Sequence, residues 1–155
     1  SLTAVLYPAN GTAALTTIHA SPFITALAPG EKTCFNLYLE KPADYARYEL
    51  TSLTYASSDE LVSSFELSQV QAGWDKANAW YALNGQVRNS GSIPTSDVRV
   101  IATLYNSTGI VIGCEQTYAN LAGEDPFSAA TFSLTFLDLP QSETIASYRV
   151  QGAGD

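Results

Sequence analysis

Apolar and polar residues alternate with a period of two along most of this chain, and no long stretch holds a helical period. Near position 98, Val98, Val100, Ala102 and Leu104 share one face, while Arg99, Ile101, Thr103 and Tyr105 share the other. Near position 81, Tyr81, Leu83 and Val87 point one way with Gly85, and Trp80, Asn84 and Gln86 point the other. Phe132, Leu134 and Phe136 alternate with Ser133 and Thr135. The pattern predicts strands over residues 2–7, 12–19, 33–39, 47–56, 62–71, 78–88, 97–106, 109–118, 130–137 and 145–151. Each has one oily face, as two packed antiparallel sheets require, so the expected class is all-β.

Turn signals separate these runs. Asn10-Gly11 and Thr108-Gly109 read as hairpin turns in which glycine supplies a positive φ. Ala28-Pro29-Gly30-Glu31 and Glu124-Asp125-Pro126 punctuate the chain before the Phe35 and Phe132 strands. Short strands at this spacing favour a β-sandwich.

The turns and strands also recur. Leu6-Tyr7 followed by Gly11 returns as Leu104-Tyr105 followed by Gly109, at an offset of 98 residues. Phe35-Asn36-Leu37 returns as Phe132-Ser133-Leu134 at 97, Arg47-Tyr48-Glu49-Leu50 as Ser147-Tyr148-Arg149-Val150 at 100, and Pro42 as Pro140 at 98. So small a drift is what duplicated modules with loop insertions produce. A complete copy would occupy residues 61–155 and a partial one residues 1–57. Shifting the complete copy by 98 places the first from about −37 to 57, so the counterpart of Leu61 to Arg99, about two strands and part of a third, is missing from it. The junction Ala56-Ser57-Ser58-Asp59-Glu60 is short and polar, which predicts a semi-rigid tandem.

Charge narrows the partners. Fifteen acids against seven bases give a formal charge of −8 with no basic cluster, which argues against nucleic acid and anionic membrane surfaces. No run of 18 apolar residues exists, so no membrane insertion is expected within the chain. The chain begins at Ser1 rather than Met, which suggests processing or a boundary, and any signal peptide would lie outside it. Cys34 and Cys114 fall in different copies, answering Thr131 and Thr16, and read as two small half-buried thiols rather than a bridge within one sandwich.

One stretch has the look of a family. Gly85-Gln86-Val87-Arg88-Asn89-Ser90-Gly91 fits G-x-V-x-N-x-G and is followed by Val98 to Asn106, by Gly109-Ile110-Val111-Ile112-Gly113, and by the Phe132 strand. This order resembles the FxLYD-type domain, a small immunoglobulin-like β-sandwich of bacterial and archaeal cell-envelope or secreted proteins. The resemblance covers about residues 61–155, and Leu6-Tyr7 with Leu27-Ala28-Pro29-Gly30-Glu31 carries it into the first copy. The motif's Phe is Ala102 and Ala4 here, and its Asp is Asn106 and Pro8. The resemblance implies an immunoglobulin-like fold and an extracytoplasmic location, and no catalytic residues. Gly85 would serve a bulge or a close backbone approach, Asn89 would bond its own backbone at a turn, and Leu104 would enter the core.

Candidate chemistry is sparse. His19 is the only histidine, and no nucleophile elbow, zinc motif or phosphate loop accompanies it, so neither a catalytic set nor a cofactor is expected. Asp59-Glu60 and Glu124-Asp125, with Asp44, Asp75 and Asp97, lack EF-hand spacing and read as solvated loop acids rather than a metal site. Trp74, Trp80 and Tyr81 flank a loop near Asp75-Lys76, where they either pack on a sheet or form a binding platform for a glycan or protein. Asn10-Gly11-Thr12 and Asn106-Ser107-Thr108 match the N-glycosylation sequon.

The sum is a non-catalytic spacer or interaction module, completed through its partial copy by a homodimer or a strand-swapped partner. A ligand-binding module using Trp74, Trp80 and Tyr81 is the alternative, and an accessory domain of a larger secreted enzyme the third.

Overall fold

In the computed structural model the chain forms two compact units, Ser1–Glu60 and Leu61–Asp155. The structure describes residues 2–25, 27, 29–38, 42, 44–53, 64–75, 77, 79–91, 94–121, 128–137, 139 and 144–154. The junction at 56–60 and the acid pairs Asp59-Glu60 and Glu124-Asp125 lie outside the described residues. Among the described residues there are strands and no helices.

The second unit is a sandwich of two three-stranded antiparallel sheets. Strands β4 (Phe65–Asp75), β5 (Trp80–Asn89) and β8 (Ala129–Phe136) form one sheet in the order β4-β5-β8. Strands β6 (Asp97–Tyr105), β7 (Val111–Asn120) and β9 (Ser147–Gly154) form the other in the order β7-β6-β9. The alternation read from the sequence places the core. Leu83, Val87, Phe132 and Leu134 from one sheet meet Val98, Val100, Ala102 and Leu104 from the other, and all of them are buried. A fully buried aliphatic side chain of this size contributes about 1.5–3 kcal/mol, so this layer holds the two sheets together. On β6 the alternation breaks down, because Ile101 and Thr103 on the opposite face are buried too.

Two local devices set the edges of this sandwich. Asn89 is fully buried, and its Oδ1 accepts a hydrogen bond from the Gly91 amide at 2.9 Å as the chain leaves β5. At the β6–β7 hairpin, Asn106 Oδ1 accepts from the Thr108 amide, the Thr108 hydroxyl and the Ile110 amide, and Gly109 takes φ 79° to close the turn. At the hairpin the Asn106 side chain gives the Thr108 and Ile110 amides an acceptor within the turn.

The first unit holds one sheet, with β1 (Leu2–Pro8) flanked by β2 (Thr16–Ala20) and β3 (Tyr45–Leu53) in the order β2-β1-β3. The same arrangement of a central first strand, a hairpin neighbour and a later third strand appears in β7-β6-β9. The pairings coincide as well: Leu6 faces Tyr48 and Ala4 faces Leu50, as Leu104 faces Tyr148 and Ala102 faces Val150. The strand expected over 33–39 is not formed in its described part, since residues 31–38 are outside any strand. β8, which the sequence offsets set against it, lies at a sheet edge and pairs only with β5. No strand of the first unit occupies the place of β5 among the described residues, so residues 31–38 lack the ladder that makes β8 a strand.

Candidate functional site

The first unit carries an apolar groove of about 380 Å³. Ala4 and Leu6 of β1 and Ile18 of β2 contribute to it, as do Tyr45, Tyr48 and Leu50 of β3 and Phe35 and Leu37 from the irregular segment. These residues share one face because Ala4 and Leu6 alternate on β1 and pair across the sheet with Ile18, Leu50 and Tyr48. None of them is charged. A charge facing the groove would therefore find no counter-charge among these residues.

Comparing equivalent positions shows how open this face is. Ala4 and Leu6 are buried like Ala102 and Leu104. Leu50, however, is 52% exposed, whereas Val150 is half-buried and packs against the sandwich core. Phe35 and Leu37 are half-buried, whereas Phe132 and Leu134 are buried. In the second unit, β5 carries Leu83 and Val87 over the corresponding face. The sequence pattern did not single out the individual groove residues. Those follow only from the cross-strand register.

The aromatic candidates fall in different environments. Trp74 on β4 is 49% exposed. Tyr81 on β5 is directly opposite it and buried, with the rings edge-to-face at 5.6 Å. Tyr81 also meets Phe136 edge-to-face and belongs to the core. Burial, with a smaller effect from Tyr148, holds the Tyr81 phenol above the ordinary tyrosine range. Trp80 is half-buried and pairs with Asp75, which puts it on the opposite sheet face from Tyr81. The register therefore brings Trp74 and Tyr81 together and sets Trp80 apart.

The remaining polar candidates are dispersed. His19 accepts or donates at Nδ1 with the Thr3 hydroxyl, 3.1 Å away across the β1–β2 pair, on an exposed face. Asp97 bonds Asn120 across β6–β7, and Asp75 accepts from the Ala77 amide at a turn. Among the described residues, no group of three or more His, Cys, Asp or Glu is arranged to hold a metal ion, and no helix is long and apolar enough to cross a membrane. Neither cysteine is a free thiol: Cys34 and Cys114 are both disulfide-bonded, which corrects the sequence reading of two thiols. Both are buried.

Comparison with protein-family models, with curated proteins and with solved structures finds no match for this chain.

Proposed function

We propose that this chain is a non-catalytic interaction module of an extracytoplasmic protein, built as a tandem of one complete and one incomplete immunoglobulin-like sandwich, whose incomplete unit receives another polypeptide. The observation that carries this reading is the contrast between two sheets of the same order. The face that β5 covers in the second unit is an uncharged groove in the first. Exposed apolar sheet faces are normally covered or paired, so an open one is an interaction surface. The resemblance to FxLYD-type domains supports the same reading.

A solvatochromic apolar dye tests it. The free chain is expected to bind the dye in the first unit, and Leu50→Asp is expected to weaken binding about tenfold or more, the effect of losing about 1.4 kcal/mol. Leu50 is already exposed, so the variant keeps its fold. A wild-type chain that binds no dye has a closed groove in solution, and the reading then fails.

The extracytoplasmic part of the proposal is supported by the disulfide, since such bonds persist in oxidising compartments. Alkylation of acid-trapped, denatured protein from its native cells is expected to add no label before reduction and two labels afterwards, read by intact mass. Two labels before reduction would place the protein in a reducing compartment.

A further inference from the structure

We infer that the polypeptide received by the first unit is a second copy of this chain, which extends the sheet by antiparallel pairing of β3 with the partner's β3, centred on Tyr48. This rests on the reading of the first unit as an open interaction module and names its partner.

The order β2-β1-β3 leaves β3 at the edge of its sheet. Among the described residues, 46–50 make no main-chain hydrogen bond outside the pairing with β1. All five are exposed, Tyr48 at 61% and Leu50 at 52%. An uncovered edge strand presents a row of amides and carbonyls to any strand that matches it. The pairing with β1 is regular from Arg47 to Leu50 and shifts beyond each end of that run. The regular run limits the ladder a partner can add, so the association is short and reversible.

That run is complementary to itself. Set antiparallel about Tyr48, two copies place Arg47 opposite the partner's Glu49, Glu49 opposite the partner's Arg47, and Tyr48 opposite the partner's Tyr48. Residues directly opposite one another lie on the same face, where unlike charges and paired aromatic rings both stabilise a sheet. Arg47 and Glu49 already form an ion pair within the chain, and the Arg47 guanidinium lies 4.1 Å from the centroid of the Tyr7 ring. Both charges are thus held on the face where the partner's charges arrive. Tyr48 and Leu50 line the groove on the other face. The pairing therefore sets the two grooves side by side on one side of a continuous sheet, and because the contact is isologous it closes at two copies.

Two edges of the second unit lack this match. On β9, Ser147 and Arg149 stand where β3 has Arg47 and Glu49, so the same register gives Arg149 no acid. On β4, the pairing with β5 is broken by a bulge in which Gln69 takes φ 52°, a feature that keeps edge strands apart.

The test uses the full chain and the variants Arg47→Glu and Glu49→Arg, with solution mass read by light scattering over a concentration series. Salt at about 0.1 M screens the net charge beyond about 10 Å. The wild-type chain is expected to pass reversibly from monomer to dimer, with slower amide exchange in 46–50 as the dimer forms. Each variant alone sets like charges opposite one another at both contacts and is expected to dimerise about tenfold more weakly. An equimolar mixture of the two is expected to recover wild-type association, because the new acid of one faces the new arginine of the other. The ion pair within the chain cannot account for that recovery, since neither variant retains it. Both positions are exposed, and unchanged exchange in β1 shows that each variant keeps its first unit. Three results would overturn the inference: a wild-type chain that stays monomeric throughout, a dimer indifferent to both substitutions, or a mixture no stronger than its components. So long as the apolar dye binds, each of these leaves the wider reading standing. A monomer that binds no dye removes both.

Discussion

Replacing Leu104 by alanine is expected to destabilise the second unit by about 2–5 kcal/mol, the range for truncating a leucine in a closed core. Leu104 is completely buried between the two sheets, among side chains that cannot all collapse into the space it leaves. Leu6 occupies the equivalent position in the first unit and is itself only 4% exposed, so exposure alone predicts a similar loss. The groove predicts otherwise. Removing Leu6 enlarges a space that is already open to solvent, so the cavity contribution largely disappears and Leu6→Ala is expected to cost about 2 kcal/mol or less. The two effects can be separated experimentally. Both tryptophans, Trp74 and Trp80, belong to the second unit, so fluorescence-monitored urea unfolding reports on that unit, while amide exchange in β1 reports on the first. Equal losses for the two leucines would mean that the first unit is closed in solution.

The difference between these two leucines also marks what the sequence can and cannot disclose. Alternation located all the strands that have two neighbours or a hairpin partner, because a period of two depends only on which face is buried. It also suggested a strand at 33–39, where Phe35 and Leu37 alternate correctly. A strand needs a ladder as well as a pattern, and among the described residues no strand pairs with 31–38 as β5 does with β8. Other features depended on register and three-dimensional placement. Periodicity assigned Ile101 and Thr103 to the outer face of β6, and their burial was not legible in a single strand's pattern. The separation of Trp80 from Trp74 and Tyr81 depends on the pairing of Asp75 with Trp80, and adjacency in sequence had grouped all three. The disulfide was hidden for a related reason: spacing between cysteines carries no information about which positions a fold brings together.

A methyl group added at Gly85 is expected to cost the second unit about 1–3 kcal/mol, by overpacking rather than by loss of any contact. Two constraints meet at this residue. On one side β4 carries a bulge: the pairing jumps from Ser68–Gln86 to Gln71–Asn84, and Gln69 takes φ 52°. The bulge leaves the Ser68 carbonyl oxygen 3.2 Å from the place of a Cβ on Gly85. On the other side, Phe132 presents Cζ and Cε1 at 2.7 and 2.8 Å from the same point, and its ring is buried and cannot swing into solvent. Elsewhere in a chain, Gly→Ala gains about 0.4–1 kcal/mol by restricting the unfolded state, so the net loss understates the clash. Phe132→Leu removes the far end of the ring, and the double variant Gly85→Ala/Phe132→Leu is therefore expected to be more stable than the sum of the single losses, with a coupling of about 0.5–3 kcal/mol. Urea unfolding of the four proteins measures it. Additive losses would mean that the ring is not what forbids a side chain at Gly85.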